Sequence, residues 1–367
     1  MRILAVNAGS SSLKLSLIGE EDELLATHEL TGDRARDREA LADALRGPVG
    51  EADAVVHRVV HGGPRYSSAV AVDPTVRREL EALTDLAPLH QPRSLETLDA
   101  CSELLGDLPA VACFDTAFHH GLPAAARTYP LPEAWRSRWA LRRYGFHGLS
   151  HAWIARRVRQ FAPGAGRIVS CHLGAGASLC AIRDGRSIDT TMGFTPLDGL
   201  MMATRCGTID PGLVLWLLEH GGIAEPELAH ALEHESGLRA LAGTADMRAV
   251  LAESEHGDVA AQLALEVYLR ALRAGIAAMA SALGGLDVIA FAGGVGEHAP
   301  EIREACARGL GFLGIAVDSD LNRRADGDCE IGVAGLPVRT LRLQAREDLE
   351  MARQARELLR EPGRAAG

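Results

Sequence analysis

The chain opens with two apolar segments separated by a small polar loop. Residues 3–6 are apolar, residues 7–12 are small and polar, and residues 13–17 alternate between apolar and polar side chains. Alternation with a period of two is typical of a β-strand that buries one face. The pattern therefore predicts a β-hairpin whose tip is rich in glycine and serine.

The same pattern occurs again near the middle of the chain. Residues 167–172 form an apolar strand pattern, residues 173–178 are mostly small, and residues 179–182 resume the strand pattern. A supersecondary pattern that begins each half of a chain is typical of a duplication. We therefore expect two related domains that face each other.

Strand and helix patterns alternate through the rest of the chain. Apolar strands are expected at 54–60, 110–114, 288–291 and 338–343. Helices are expected at 75–86, 94–105, 211–219, 259–283, 302–310 and 347–359. This alternation predicts an α/β layered core. At 367 residues two domains are expected, and the residues most typical of a crossing between them are 121–132.

Composition and charge exclude several classes of protein. Hydrophobic residues at 47% and charged residues at 24% are typical of a globular protein, and the net charge of -11 disfavours nucleic acid and anionic membrane partners. The apolar segments at the N-terminus and at 274–286 are too short for a signal peptide or a membrane span, which predicts a cytoplasmic protein. The seven cysteines contain no CxxC pair, so we expect reduced and mostly buried thiols.

The first polar loop contains unusual residues for this chain. Lys14 is the only lysine among 38 basic residues, and Asn7 is one of two asparagines, the other being Asn322. Glycine and serine at a hairpin tip let backbone N–H groups approach an anion, and lysine adds a compact charge. The loop is therefore a candidate phosphate-binding loop, with a plain tight turn as the alternative. A third glycine-rich segment, at 292–297, is expected to be a loop between a strand and a helix.

Seven motifs then follow one another along the chain. They are NAGSSSLK at 7–14, HRVVHGG at 57–63, FDTAFH at 114–119, YGFHG at 144–148, GFTPL at 193–197, TRCGTIDP at 204–211 and GVGEH at 294–298. In this order the chain resembles the acetokinase family, a relative of sugar kinases, heat-shock ATPases and actin. The resemblance implies a duplicated actin-like ATPase (ribonuclease H-like) α/β fold, with a nucleotide cleft between two domains, and a homodimer. The first domain is expected at 1–118 plus a helix at 348–367, and the second at 119–347.

The same resemblance implies an activity and a set of site residues. The activity is reversible phosphoryl transfer from ATP to acetate with Mg²⁺, or Mn²⁺ as a substitute, to give acetyl phosphate and ADP. The implied catalytic residues are Asp115, His147 and Arg205, and the implied metal ligands are Asn7 and Glu347. The implied substrate contacts are Arg58, Val60, Leu89, His90, Phe146 and Pro196. The implied nucleotide contacts are Ser10, Ser12, Lys14, His172, Leu173, Gly174, Ala175, Gly176, Asp246, Met247, Arg248, Gly294, Val295, Gly296, Glu297 and His298.

Charge considerations support the roles implied for the two arginines and lead to a different role for Asp115. Phosphoryl transfer needs positioning and positive charge around the moving group, which Arg58 and Arg205 supply. The resemblance assigns proton transfer to Asp115, yet a fatty carboxylate is already ionised at neutral pH and needs no base. We therefore interpret Asp115 as an orienting and charge-balancing partner of an arginine or of hydrated Mg²⁺.

Several residues depart from the family pattern, and other functions are alternatives to the acyl kinase hypothesis. Ala175, His298 and Arg346 stand where the family has asparagine, and the segment at 19–50 is shorter than usual. Propionate kinase or another short-chain acyl kinase is the first alternative, and a non-kinase actin-like ATPase is a more distant one. A zinc hydrolase is suggested by histidine pairs four residues apart at 57/61 and 147/151, but the first pair lies in a strand pattern and no HExxH motif is present.

Overall fold

Secondary structure in the computed structural model is described for residues 1–9, 12–32, 37–88 and 90–360. The strands are β1 (Ile3–Ala8), β2 (Ser12–Ile18), β3 (Leu24–Thr31), β4 (Ala54–Val59), β5 (Val70–Ala71), β6 (Ala110–Phe114), β7 (Arg167–Leu173), β8 (Ala177–Arg183), β9 (Arg186–Thr190), β10 (Val288–Ala292), β11 (Cys329–Glu330) and β12 (Arg339–Arg342). The helices are α1 (Arg38–Leu45), α2 (Pro74–Glu81), α3 (Gln91–Leu105), α4 (Ala124–Arg127), α5 (Glu133–Trp139), α6 (Gly148–Phe161), α7 (Pro211–Glu219), α8 (Glu225–His230), α9 (Gly237–Ala242), α10 (Met247–Glu255), α11 (Val259–Leu283), α12 (Gly293–His298), α13 (Pro300–Arg308), α14 (Ser319–Arg324) and α15 (Glu347–Arg360). Short 3₁₀ turns lie at Pro48–Gly50, Thr84–Leu86, Ala117–His119 and Gly311–Leu313, and a π turn lies at Ala231–Glu235.

The chain forms two compact units. The first unit contains Met1–His120, Phe146–Trp153 and the residues from Arg346 on, as far as the structure describes them. The second unit contains Gly121–Gly145 and Ile154–Ala345. The predicted α/β class with two domains is confirmed. The chain passes from the first unit to the second at residue 121, returns to the first unit for Phe146–Trp153, and then continues in the second.

The two units contain sheets with the same strand order. The sheet of the first unit has the order β3-β2-β1-β4-β6-β5, and that of the second has the order β11-β12-β10-β7-β8-β9. Read from its other edge, the second sheet is β9-β8-β7-β10-β12-β11. Both sheets therefore place the third, second, first, fourth, sixth and fifth strands of their unit side by side. In each sheet an antiparallel hairpin (β1 with β2, β7 with β8) is extended by two parallel strands. The hairpin patterns at the start of each half therefore predicted a duplication that extends to whole sheets.

Helix α15 packs on the sheet of the first unit. Its residues Leu349, Met351, Ala352 and Ala355 are buried against Ile3 and other apolar side chains of β1, β4 and β6. Positions spaced three and four apart lie on one face of a helix, so this spacing presents a continuous apolar surface to the sheet. The prediction that the last helix packs on the first domain's residues agrees with this arrangement.

Helix α11 has the corresponding role in the second unit. Its buried residues recur every three or four positions from Ala261 to Leu283. The carboxylate of Asp258 accepts a hydrogen bond from the backbone N–H of Ala261 and caps the first turn, and Gly284, with a φ of 68°, ends the helix in the left-handed conformation. Long as it is, neither this helix nor any other in the described ranges is apolar enough to cross a membrane.

Two local predictions were wrong. The helix expected at 75–86 is divided into α2 and the 3₁₀ turn Thr84–Leu86, and the loop expected at 292–297 is the short helix α12. Three of the six residues of α12 are glycine, which favours a loop because glycine is a weak helix former. Contacts from outside the segment hold it as a helix, as described below.

The buried histidine of β4 is expected to make stability depend on pH. His57 is 1% exposed, and neither ring nitrogen has a hydrogen-bond partner among the described residues. Burial lowers the pKa of His57 from 6.5 to about 4. Between pH 6.5 and about pH 4 the ring of His57 is protonated in the unfolded chain but not in the folded chain. The free energy of unfolding is therefore unaffected by His57 above pH 6.5 and falls as the pH decreases through this window.

The expected loss from this histidine is about 3 kcal/mol of the free energy of unfolding by pH 4. Urea unfolding at a series of pH values measures it. His57→Leu is expected to reduce the slope of stability against pH, and the same slope in both proteins would contradict the prediction.

Candidate active site

Three parallel strands of the first unit end at one edge of the sheet, and each brings a polar residue there. Asn7 lies near the end of β1, Arg58 near the end of β4, and Asp115 directly after β6. The parallel register sets Val6 beside His57, so the next residues, Asn7 and Arg58, are also neighbours. The carboxyl edge of parallel strands is the usual location of a functional site in an α/β sheet.

Hydrogen bonds join these residues into a network with Glu347, the first residue of α15. Both oxygens of Asp115 accept from Arg58, at 3.1 Å from Nε and 2.5 Å from the nearer terminal nitrogen. Another terminal nitrogen of Arg58 donates to Oδ1 of Asn7 at 3.0 Å, and Nδ2 of Asn7 donates to Glu347 at 3.1 Å. The guanidinium is thereby fixed in orientation as well as in position.

The network contains two carboxylates and one guanidinium. Burial alone would lower the pKa of Arg58, but the charges of Asp115 and Glu347 raise it well above its usual value. Burial raises the pKa of Asp115, and Arg58 opposes that rise. Since both oxygens of Asp115 accept hydrogen bonds from the guanidinium, the geometry favours the carboxylate form, in which the cluster has one excess negative charge.

Two members of this cluster fit a hard cation. A hydrogen bond joins the side chains of Asn7 and Glu347, and each side chain carries an oxygen that can bind a metal. Mg²⁺ is usually held by oxygen ligands from one or two side chains, with water completing its coordination. The described residues contain no group of three or more His, Cys, Asp and Glu side chains arranged around a metal position. Arg346, the neighbour of Glu347, donates to both oxygens of Asp348 at 2.9 and 3.0 Å.

The loop that carries His147 is pressed against Asp115. His147 has a φ of 55°, in the left-handed region that few side chains adopt. The N–H of Gly148 donates to the carbonyl of Asp115 at 2.8 Å, and a Cβ on Gly148 would lie 2.2 Å from that oxygen. Glycine is therefore required at 148, and this close contact holds the backbone of the loop, with His147 in the left-handed conformation, against Asp115.

Several predicted acyl contacts lie in the same unit. Val60 and Phe146 are buried, and the ring of Phe146 lies edge-on to His61 at 5.6 Å between centroids. His90 immediately precedes α3 and is partly exposed. Leu89 lies outside the described residues.

The first hairpin brings Lys14 to the same face of the sheet as the cluster. Lys14 lies directly opposite Asn7 in the register of β1 and β2, and its side chain is exposed. Ser12 begins β2, and its carbonyl accepts a hydrogen bond from Arg93 at 3.3 Å. Arg93 was not predicted, because nothing in the sequence around α3 relates it to the hairpin. Ser10 lies outside the described residues.

The second unit holds Arg205 and Pro196. A terminal nitrogen of Arg205 donates to the carbonyl of Pro196 at 3.4 Å and lies 3.8 Å from the sulfur of Met202. The two predicted residues, nine positions apart in different motifs, are thus brought together.

A cavity of about 630 Å³ in the second unit collects half of the predicted nucleotide contacts. Eight of the predicted residues line it, namely Gly174, Ala175, Asp246, Met247, Arg248, Gly294, Val295 and His298. Five predicted residues of the second unit do not line it, namely His172, Leu173, Gly176, Gly296 and Glu297, and neither do Ser12 and Lys14 of the first hairpin. The sequence analysis did not single out the rest of the wall, which includes Leu251, Ala252 and Tyr268.

The rim of the cavity is fixed by backbone geometry. The N–H of Gly174 donates to the carbonyl of Gly176 at 3.0 Å and closes the turn between β7 and β8. Asp246 caps α10 by accepting from the N–H of Arg248, and the exposed guanidinium of Arg248 folds back on the same carboxylate at 2.8 Å. This contact with Arg248 lowers the pKa of Asp246.

Comparisons with known proteins identify the family. The model of the acetokinase family matches residues 38–353. An acetate kinase from Trichormus variabilis is 42% identical over 96% of this chain and 86% of its own length. Two solved structures, each 31% identical, superpose well: an acetate kinase from Porphyromonas gingivalis has a TM-score of 0.89 over 98% of this chain and 99% of its own, and a propionate kinase from Francisella tularensis has 0.90 over 96% and 98%. The resemblance inferred from the seven motifs is confirmed, and the chain belongs to the acetokinase family.

Proposed function

We propose that this chain is an ATP:acetate phosphotransferase, which transfers the γ-phosphoryl group of ATP to acetate and runs the reverse reaction with acetyl phosphate and ADP. The observation that carries the proposal is the Arg58 guanidinium, held by Asp115 and Asn7 at the carboxyl edge of a sheet. A fixed guanidinium fork is suited to the oxygens of a carboxylate or a phosphoryl group.

The chemistry requires no base. An oxygen of the ionised acetate attacks the γ-phosphorus, the bond from that phosphorus to the bridging oxygen of ADP breaks, and the electron pair leaves with ADP. Both Asp115 oxygens accept from Arg58, which supports a role in orientation and charge balance over proton transfer. Arg205 and His147 are proposed to contact the phosphoryl group in transfer, where added positive charge and hydrogen bonds act on the transition state.

Mg²⁺ is the proposed metal, with Mn²⁺ able to replace it. Asn7 and Glu347 would hold it, and the excess negative charge of their cluster supports a cation there. When bound, the ion neutralises charge on the transferring phosphates. The cavity lined by Gly174, Asp246 and Gly294 is the proposed nucleotide site, because its volume suits a nucleoside.

Trapping of acyl phosphate by hydroxylamine tests the activity. The chain is incubated with ATP, Mg²⁺ and a panel of acetate, propionate and butyrate. Hydroxamate formed with acetate supports the proposal, and a chain that hydrolyses ATP equally with and without every acid contradicts it. Such ATPase activity is what the non-kinase alternative predicts.

Acyl chain length is the finer part of the proposal. Val60, two residues after Arg58, and Phe146, whose ring contacts His61, are both buried, which supports a small apolar pocket for the acyl methyl group. Each extra methylene is expected to cost ~1–3 kcal/mol in such a pocket, so acetate is preferred, propionate is tolerated and butyrate is poor. Propionate kinase remains the alternative, and the kcat/KM values for the two acids distinguish them.

Val60→Ala is expected to relax this order by opening space without changing Arg58. The kcat/KM for propionate relative to acetate is expected to rise by about tenfold, the equivalent of one methylene. An unchanged ratio would show that Val60 does not line the acyl pocket. Val76→Ala, a partly buried position of α2, is the control and is expected to leave the ratio unchanged.

The assembly we propose is a homodimer in the cytoplasm. Helix α7 supports a partner surface, because none of its residues is buried although most are apolar, and Leu215 and Trp216 are 58% and 55% exposed. An apolar patch of this kind is typical of an interaction site, and twofold dimers are the commonest soluble oligomers.

Leu215→Glu is expected to convert the dimer to monomers in sedimentation velocity experiments. A charge at the centre of an apolar interface is left without a partner, and the association is weakened by several kcal/mol. Leu24→Glu, at a leucine of β3 that is 49% exposed, is the control. A dimer that survives Leu215→Glu would exclude α7 as the interface.

A further inference from the structure

Arg303, on α13, is a charged side chain buried without a carboxylate partner. It is 1% exposed, and its guanidinium forms no ion pair with an acidic side chain of the described residues. Its guanidinium donates only to neutral oxygens: Asn322 Oδ1 at 2.7 Å and the carbonyls of Gly296 at 2.8 Å, Glu297 at 2.9 Å and Asn322 at 2.9 Å. Burying a charge in this way is costly, so hydrogen bonds to a fixed set of acceptors must offset the cost.

A second buried arginine reaches the same helix end. Nε of Arg342 donates to the carbonyl of Glu297 at 3.3 Å, and its terminal nitrogen lies 3.9 Å from the carboxylate of that residue. Two positive charges therefore meet the last carbonyls of α12, where the helix dipole favours cations. Burial and the nearby charge of Arg342 lower the pKa of Arg303 to about 10, so Arg303 is charged at neutral pH.

The other end of α12 is held by its own Glu297. Oε1 of Glu297 accepts from the N–H of Gly293 at 3.0 Å and from the N–H of Ala345 at 2.9 Å. A helix of six residues that contains three glycines does not persist by its intrinsic propensity. The conformation of α12 thus depends on contacts from outside the helix, made by Arg303 of α13 and Arg342 of β12, and Asn322 of α14 acts on it through Arg303.

Asn322 completes the arrangement. It is 1% exposed on α14, and its Nδ2 donates to the carbonyl of Pro300 at 2.8 Å while its Oδ1 accepts from Arg303. Both polar atoms of the amide are used, and each in a different role, so the amide has one favourable orientation. Asn322 is the second of the two asparagines in the chain, and no predicted motif contains it.

We infer that Arg303 and Asn322 are positioning residues for the nucleotide, which fix α12 in the conformation that forms one wall of the cavity. The inference rests on the proposed function, since it takes the cavity to be the ATP site. Gly294, Val295 and His298 of α12 line the cavity, whereas Arg303 and Asn322 do not. They act through α12 and touch no nucleotide.

The test compares Asn322→Ala and Arg303→Lys with Arg356→Lys. Arg356 is also buried, at 6% exposure, and in the first unit it donates to the carbonyls of Met1 and Gly19 and to the carboxylate of Asp22. Calorimetric titration with MgADP gives the Kd, and initial rates give the KM for ATP and for acetate. Melting temperatures report the structural cost of each change.

Both test variants are expected to raise the Kd for MgADP and the KM for ATP by about tenfold or more, because small displacements of a binding wall are costly. The KM for acetate is expected to stay within about twofold in both. Arg356→Lys is expected to lower the melting temperature without changing either nucleotide constant. Test variants that melt earlier but bind MgADP normally would overturn the positioning role.

Asn322→Gln provides the test if the Asn322→Ala variant fails to fold. It retains both amide groups but moves them by one methylene, and it is expected to fold with an intermediate Kd. A parent chain that binds no MgADP would refute the proposed function itself. A parent that binds MgADP, with an Asn322→Gln variant of unchanged Kd, would refute only the positioning role.

Discussion

Arg205→Leu is expected to lower kcat by on the order of a thousandfold while leaving the Kd for MgADP within about threefold of the parent value. The guanidinium is assigned to the charge that develops on the phosphoryl group in the transition state, and Arg205 does not line the cavity that we assign to the nucleotide. An interaction made only in the transition state lowers kcat without weakening ground-state binding.

Arg186→Leu is the matched control for this result. Arg186 is an exposed arginine of β9 in the same unit, and its loss is expected to leave kcat unchanged. Circular dichroism and the melting temperature establish that both variants are folded. A folded Arg205→Leu protein with parental kcat would remove Arg205 from the mechanism.

Arg58→Leu is expected to abolish acetyl phosphate formation and also to destabilise the fold by about 3–5 kcal/mol. Removal of the guanidinium leaves Asp115, 1% exposed, without its charge partner and near Glu347. The cost is that of a buried carboxylate with no cation, and urea unfolding measures it.

The double variant Arg58→Leu/Asp115→Leu separates the two effects. Removing both charges is expected to recover most of the lost stability, since an apolar pair can replace a buried ion pair. Activity is expected to remain absent, because the fork that binds the substrate oxygens is still missing. If Arg58→Leu alone were as stable as the parent, the ion pair would not be the element that holds Asp115 ionised.

The sequence predicted those parts of the fold and site that local patterns determine. Each hairpin and each strand that ends in a polar residue was visible in the order of apolar and polar positions, and so was the placement of Asp115 after β6. Strand ends of a parallel sheet converge on one edge, which brings together residues that lie far apart in the chain. The pairing of Arg58 with Asp115, 57 positions away, follows from that rule.

Long-range contacts account for what the sequence could not predict. The glycines of α12 favour a loop, and the helix is held by Arg303 and Arg342, which no local pattern relates to it. The left-handed conformation of His147 likewise depends on Gly148 fitting against the carbonyl of Asp115. The roles of these residues in catalysis and nucleotide binding stay predictions until the variants are measured.

The division of the first unit into separate stretches of chain affects biosynthesis. Glu347 and α15 are translated only after Ile154–Ala345, so the ribosome has produced the second unit before the first can be completed. Because domains fold as units during translation, the second unit is expected to reach its native state before the first. Until α15 is synthesised, the apolar side chains of β1 and β4 that it covers remain exposed. The exposed sheet would meanwhile need protection from aggregation, and a nascent chain stalled before residue 347 is expected to bind chaperones and to lack the complete Arg58 network.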